Sequence, residues 1–283
     1  MFKIVSKRVF NPTTSEMVIE APFIAKKAQP GQFIILRVNE FGERIPLTIS
    51  DFDRERGTIT IIYQKVGKTT MLLDQLEAGD YLLDFIGPLG KASELDGYKN
   101  VAVVGGGAGL AIALPQAKAL YKSGAKVDLI AGFRSKDLIM LEPEMSKACN
   151  NLIITTDDGS KGEKSFVTDA LKKNINDGVD YDLVIAIGPL PMMQAVCNLT
   201  KEYGIKTIIS MNPIMIDGTG MCGGCRLTVA GKTKFACVDG PDFDGHEVDF
   251  NEAINRLKTY KEQEIKSSRD YNCRLMKEGE NNA

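Results

Sequence analysis

The stretch Asn100-Val-Ala-Val-Val-Gly-Gly-Gly-Ala-Gly109 decides the fold. A β-branched run that enters a glycine turn reads as a strand buried on both faces. The apolar segment after it, as far as Lys122, reads as a helix, and Lys126-Val-Asp-Leu-Ile-Ala-Gly132 as a second strand. The alternation continues through strand Leu152-Ile-Ile-Thr-Thr, a helix around Val167 to Ile175, strand Asp182-Leu-Val-Ile-Ala-Ile, helix Pro191 to Tyr203 and strand Thr207-Ile-Ile-Ser. Strands alternating with helices predict a doubly wound parallel sheet. The glycines 105, 106, 107 and 109 stand where a strand hands over to a helix, a geometry suited to a phosphate at the helix N-terminus. The pattern G-x-G-x-x-G is not met, because position 110 is Leu. The second strand also ends at Gly132-Phe133-Arg134 without an acidic residue, which disfavours a simple dinucleotide dehydrogenase. Taken alone, the turn would also suit an unrelated α/β domain.

Upstream, residues 1–97 read as all-β. Short β-branched runs (Met17-Val-Ile-Glu, Phe33-Ile-Ile-Leu-Arg-Val, Gly57-Thr-Ile-Thr-Ile-Ile-Tyr63, Tyr81-Leu-Leu-Asp-Phe-Ile) alternate with turn signals. Their spacing predicts a small barrel, with a short helix near Thr70 to Leu76. Arg44-Ile-Pro46-Leu47-Thr48 falls at the end of a barrel strand. An arginine there can clamp a pyrophosphate in two parallel hydrogen bonds, and a threonine hydroxyl can bond a flavin ring nitrogen. Val66-Gly67-Lys68-Thr69-Thr70 is a second phosphate-like loop. The bland reading of each is an exposed edge or an ordinary turn.

Downstream comes Asp217-Gly-Thr-Gly-Met-Cys222-Gly-Gly-Cys225, followed by Cys237 after a strand-like stretch. With cysteine in place of Asp217 this would be C-x4-C-x2-C…C, the plant-type [2Fe–2S] spacing. Asp217 either supplies the fourth ligand or caps the loop through backbone N–H groups. His246 is the chain's single histidine, so a two-histidine Rieske-type site is excluded; we read His246 as structural or interfacial. Cys149, Cys197 and Cys273 are scattered, and the first two read as buried thiols. Residues 251 to about 268 predict a terminal helix, and the polar end from Glu278 to Ala283 a frayed tail.

Composition sets the limits. With 283 residues the chain suggests two or three modest domains. A formal net charge of -2 gives no sign of a nucleic-acid binder. The first residues carry charges where a secretory signal needs an apolar run, and no stretch approaches ~18 apolar residues. A reducing, cytoplasmic setting is expected, with no membrane and no nucleic acid.

Together, Pro30-Gly31-Gln32-Phe33, Arg44-x-Pro46-Leu47-Thr48, Gly67-x-Thr69-Thr70, Gly87-Pro88-Leu89-Gly90, the Gly105–Gly109 turn and Gly188-Pro189-x-x-Met192-Met193 resemble the ferredoxin-NADP reductase superfamily over nearly the whole chain. With the cysteine segment, the chain resembles electron-transfer subunits of dihydroorotate dehydrogenase. It is more similar still to small subunits of NADH-dependent reduced ferredoxin:NADP+ oxidoreductase, because those share an aspartate and three cysteines. The resemblance implies an oxidoreductase subunit organised as an FAD-binding β-barrel (1–97), an NAD-binding α/β domain (98–212), a [2Fe–2S] segment (213–250) and a terminal helix and tail (251–283). It implies FAD at Arg44, Pro46, Leu47, Thr48, Tyr63, Gly67, Thr69 and Thr70. NAD(H) is implied at Gly106, Gly107, Gly109, Arg134, Asp158, Gly188, Pro189 and Met192. Iron is implied at Asp217, Cys222, Cys225 and Cys237. No side chain is implied as a general acid or base.

Arg134 and Lys136 stand where a 2′-phosphate would sit, but Asp137 would repel one, and NAD(H) is favoured. Asp157-Asp158-Gly159-Ser160-Lys161-Gly162 is either a ribose-side or nicotinamide-side loop or a solvated turn. The resemblance further implies a larger partner subunit with FAD and [4Fe–4S] clusters, similar to the glutamate synthase small subunit, and electron bifurcation in the complex, with ferredoxin reached through it. The competing readings are the dihydroorotate dehydrogenase electron-transfer subunit and a non-catalytic redox sensor.

Overall fold

The computed structural model describes residues 1–281, and side chains as far as Tyr271. The N-terminal part is one antiparallel sheet of β1 (Phe2–Asn11), β2 (Thr14–Glu20), β3 (Phe33–Arg37), β4 (Ile45–Asp53), β5 (Thr58–Gln64), β6 (Tyr81–Leu82) and β7 (Asp84–Leu89) in the order β6-β1-β2-β5-β4-β3-β7. Its two edge strands, β6 and β7, are separated in sequence by Leu83 alone, whose N–H reaches the Arg37 carbonyl at 3.1 Å. The sheet therefore curls into a nearly closed barrel, as expected. Met17, Ile19, Ile34, Leu36, Ile49, Ile59, Ile61 and Phe85 fill it. Helix α1 (Pro22–Lys27) and helix α2 (Lys68–Asp74), where a short helix was expected, pack against it. Strand β1 was not legible in the sequence, because only Ile4 and Asn11 along it are buried and no alternation marks it.

The second sheet contains β8 (Asn100–Gly106), β9 (Lys126–Phe133), β10 (Asn151–Thr156), β11 (Leu183–Ile187) and β12 (Thr207–Ser210), all parallel. Helices α3 (Gly109–Lys122), α4 (Glu142–Ser146), α5 (Val167–Asn176) and α6 (Leu190–Glu202) connect them. The chain then forms the hairpin β13 (Arg226–Val229) and β14 (Lys232–Phe235), a turn α7 (Ala236–Asp239) and β15 (Asp242–Asp244). Strand β15 pairs antiparallel with β12, so the cysteine segment completes the edge of the nucleotide-type sheet in the order β10-β9-β8-β11-β12-β15. Helices α8 (Phe250–Leu257) and α9 (Lys261–Asn281) follow. The tail expected to fray instead continues helix α9 to Asn281, extending the Arg-, Lys- and Glu-bearing run that precedes it; Asn282 and Ala283 lie outside the described residues. Among the described residues no helix is long and apolar enough to cross a membrane.

One contact fixes barrel against sheet. Pro115 lies inside α3 and has no N–H to give the Ala111 carbonyl one turn back. The buried Ser50 hydroxyl, from barrel strand β4, donates to that carbonyl at 2.9 Å instead. A buried carbonyl left bare would cost about 1–3 kcal/mol.

Candidate functional site

Strand β4 runs beside β3 through Ile45 to Thr48, but pairs with β5 only from Ile49 onward. Pro46 lacks an N–H and tolerates that one-sided pairing. The half of β4 bearing Pro46, Leu47 and Thr48 thus keeps one edge open, with all three side chains half-buried. The Gly67 loop follows β5. A Cβ placed on Gly67 would meet nothing within 4 Å, so this turn faces open space. The two threonine hydroxyls beside it are engaged locally: Thr69 donates to Glu43 at 3.0 Å, and Thr70 accepts from the Val66 and Gly67 N–H groups at 3.1 Å. Tyr63 departs from expectation. It is 1% exposed in the barrel core, and its hydroxyl donates to Asp74 at 3.1 Å. Burial and the Asp74 charge push that phenol above its usual range. The Tyr63 side chain is buried rather than exposed at the open edge of β4. Ser15 and Lys65 also bond Asp74, whose carboxyl is held below its usual range because these hydrogen bonds outweigh the opposing effect of burial.

In the parallel sheet, successive connections reverse direction between the neighbouring strands β8 and β11, and ligands of such sheets bind beyond the C-terminal ends at that point. The glycines there divide the work. A Cβ at Gly109 would lie 2.3 Å from the Ile187 carbonyl, so this glycine lets α3 approach β11. At Gly106 and Gly188 a Cβ would strike the Met192 thioether end, which covers the crevice beside Pro189. Gly107 has φ +54 and faces open space. Arg134 and Asp158 come together at the ends of β9 and β10: the Asp158 N–H reaches the Arg134 carbonyl at 3.3 Å. The Ser160 hydroxyl donates to the Asp158 carboxylate at 2.6 Å and holds its pKa below the ordinary value. The same hydroxyl accepts from the Lys136 N–H at 2.7 Å, so the Asp157–Gly162 loop is an ordered turn with a fixed, exposed carboxylate.

The cysteine loop bends at Gly218, Gly220 and Gly223, with φ of 75, 85 and 67. Gly218 sits where any Cβ would strike Ile35 and Leu89 of the barrel. The Asp217 carboxylate accepts from the Thr219 N–H at 2.9 Å and the Cys222 N–H at 2.7 Å, which is the capping geometry. Cys225 and Cys237 are buried with sulfurs 3.2 Å apart, and the Cys237 N–H points at the Cys225 sulfur at 3.5 Å. Cys222 is exposed, and the Gly224 N–H faces its sulfur at 3.4 Å. Burial, reinforced by Cys225, pushes the Cys237 thiol up to about 12. The donors lie as two neighbouring pairs, Asp217 with Cys222 and Cys225 with Cys237. Among the described residues no three or more such side chains surround a single metal-ion position. Two sulfurs in contact, with N–H groups aimed at sulfur, fit a group that takes thiolates in pairs. Cys149 and Cys197 are buried as expected, the latter pushed up to about 12 by burial. The side chain of Cys273 lies outside the described residues. His246 is structural, with Nε2 3.0 Å from the Thr200 hydroxyl.

A curled antiparallel barrel, a doubly wound sheet with an open glycine turn, and a three-cysteine loop wedged against the barrel define an oxidoreductase subunit of ferredoxin-NADP reductase-like fold with an iron–sulfur-type loop. Residues 212–249 match the iron–sulfur cluster binding domain of dihydroorotate dehydrogenase B. The chain is 45% identical over 262 residues to a homolog of the dihydroorotate dehydrogenase B (NAD+) electron transfer subunit from Thermotoga maritima, covering 93% of this chain and 92% of the relative. It is 34% identical to the Fusobacterium nucleatum dihydroorotate dehydrogenase B (NAD+) electron transfer subunit, covering 83% and 93%. A solved structure described as the flavin-bifurcating NADH-dependent reduced ferredoxin-NADP oxidoreductase superposes with a TM-score of 0.91 at 44% identity, covering 96% of this chain and 98% of the other. The chain belongs to the family of dihydroorotate dehydrogenase B-type electron-transfer subunits.

Proposed function

We propose that this chain passes electrons between NAD(H), FAD and a [2Fe–2S] cluster, to or from a larger partner subunit. The observation that carries the reading is the contact between flavin strand and cysteine loop: Arg44 Nε, two residues before Pro46, donates to the carbonyl of Ile216, which adjoins Asp217. In this reading the open edge of β4, with Arg44, Pro46, Leu47 and Thr48 and the turn of Gly67, Thr69 and Thr70, holds FAD. Gly106, Gly107, Gly109, Gly188, Pro189, Met192, Arg134 and Asp158 hold NAD(H). Asp217, Cys222, Cys225 and Cys237 hold the cluster. When bound, flavin accepts hydride from nicotinamide and releases electrons singly to the cluster. The protein contributes the placement: Arg44, directly before β4, is hydrogen-bonded to the cysteine loop, and Ser50 locks β4 to the helix that opens the nucleotide crevice. The unit boundaries we assign are 1–97, 98–212, 213–250 and 251–283.

For the partner we propose a glutamate-synthase-like subunit with FAD and [4Fe–4S] clusters, in a bifurcating ferredoxin:NADP+ oxidoreductase of the cytoplasm. Six cysteines are too few for such clusters here, and Asp217 stands where the dihydroorotate dehydrogenase type carries cysteine. The second reading, an electron-transfer subunit serving a dihydroorotate dehydrogenase, is favoured by the match of residues 212–249. The test is an anaerobic visible spectrum of the purified chain before and after one equivalent of NADH. Flavin bleaching with cluster reduction is the expected result; no response to either NADH or NADPH would sink the assignment. Co-purification from the native host would then separate an iron–sulfur flavoprotein partner from an FMN-bearing dihydroorotate dehydrogenase.

A further inference from the structure

Asp242, at the start of β15, lies where three parts of the chain meet. Its Oδ2 accepts from the Ser93 hydroxyl at 2.6 Å and from Gln116 Nε2 at 3.1 Å. Ser93 belongs to the connection between β7 and β8, and Gln116 to α3, where it is fully buried. Gln116 Nε2 also donates to the Ser93 oxygen at 2.8 Å, closing a triangle. The barrel backbone presses on it: a Cβ at Gly31 would collide with the Ser93 hydroxyl and come within 3.2 Å of Asp242 Oδ2. Ser210 of β12, opposite Asp242 in the ladder, flanks the carboxyl from the fourth side. Two oxygens in this node have no partner and no access to solvent, Asp242 Oδ1 and Gln116 Oε1. Both are acceptors when the carboxyl is ionised, and a buried bare acceptor costs free energy. A proton on Oδ1 removes one of these bare acceptors and lifts the buried charge.

We propose that Asp242 is a proton-dependent latch: carrying a proton, it ties the barrel, α3 and the edge strand β15 that follows the cysteine loop together; ionised, it loosens β15. Among the described residues no charged side chain offsets that ionisation. The groups that face Asp242 are Ser93, Gln116, Ser210 and the Gly31 backbone, while Asp244, the next carboxylate along β15, is engaged with the His246 N–H. Lys91 meets this region only through its main chain, donating to the Gly240 carbonyl. Burial raises the Asp242 carboxyl to about 6, against the opposing hydrogen bonds from Ser93, Ser210 and Gln116. A carboxyl whose folded pKa is raised contributes stability that is complete below the unfolded value near 4 and is lost as pH rises through about 6.

The experiment uses the full chain with its cofactors bound. Infrared difference spectra between pH 4.5 and 8 read the protonated-carboxyl stretch. A band that titrates near pH 6 and is missing in Asp242→Asn is expected. Hydrogen exchange, corrected for intrinsic rate, reads the latch itself. The Ile209 amide, paired with β15, and the Met211 amide, which donates to the Pro241 carbonyl just before it, should exchange about tenfold faster above pH 7 than below pH 5 in the wild type. They should stay protected throughout in Asp242→Asn, whose amide mimics the protonated acid. If Asp242→Asn misfolds, Gln116→Leu, which removes one donor to the ionised Oδ2 as well as one bare acceptor, should move the band's midpoint. An Asp242 ionised down to pH 4.5, or β12 exchange with no pH dependence in the wild type, overturns the proposal.

Discussion

Arg44 Nε donates to the main-chain carbonyl of Ile216 at 3.1 Å, across 172 positions of sequence. The bond joins the approach to the open half of β4 to the residue preceding Asp217. The barrel strand and the cysteine loop are therefore neighbours by construction. The loop is pressed there by Gly218, whose missing side chain lets it lie on Ile35 and Leu89.

Arg44→Lys should weaken this junction. A lysine ammonium cannot place one donor on Ile216 while keeping a planar pair free for phosphate. The lost charged hydrogen bond is worth about 1.5–3 kcal/mol, so FAD should be held tenfold less tightly or worse. Fluorescence titration of the FAD-stripped protein reads this; unchanged affinity would mean that Arg44 serves only the loop.

Ser50→Ala should destabilise the fold by about 1–3 kcal/mol, because the Ala111 carbonyl loses its donor. In a Pro115→Ala background the same change should cost less, since residue 115 would then donate its own N–H. A double-mutant cycle in denaturant checks it. Additive costs would show that the Ser50 hydroxyl does not compensate the proline.

Asp217→Asn keeps an oxygen for the Thr219 N–H but loses the anionic pair of oxygens. If Asp217 ligates iron, this variant should lose much of its iron, while Asp217→Cys should retain it with an altered visible spectrum. Iron analysis after anaerobic purification decides. Full iron content in the asparagine variant would leave Asp217 as a cap alone, the role its two N–H contacts already give it.

Asp158→Ser should shift nucleotide preference. The Asp158 carboxylate, fixed by Ser160, suits a ribose diol and repels a 2′-phosphate. Removing it should narrow the preference for NADH over NADPH by about tenfold, because that repulsion is then gone. Equilibrium titration with both nucleotides measures it; an unchanged ratio would return this loop to a solvated turn.

Sequence alone determined what depends on local pattern. The β-branched run from Asn100 and the alternation after it imposed a parallel sheet, because such strands bury both faces. The Asp217–Cys237 spacing marked a cluster-type loop, because turn glycines and thiols at those offsets have few other uses. Tertiary structure decided what depends on partners distant in the chain. Tyr63 reads as a strand residue at a ligand edge, yet its side chain is spent on Asp74 inside the barrel. Strand β1 hides its pattern because one face of it is solvated and little of the other is buried. Ser50, Ser93, Gln116 and Asp242 carry no motif at all. Each is a single polar residue whose meaning is the hydrogen bond it makes 23 to 149 positions away, a distance that no periodicity encodes.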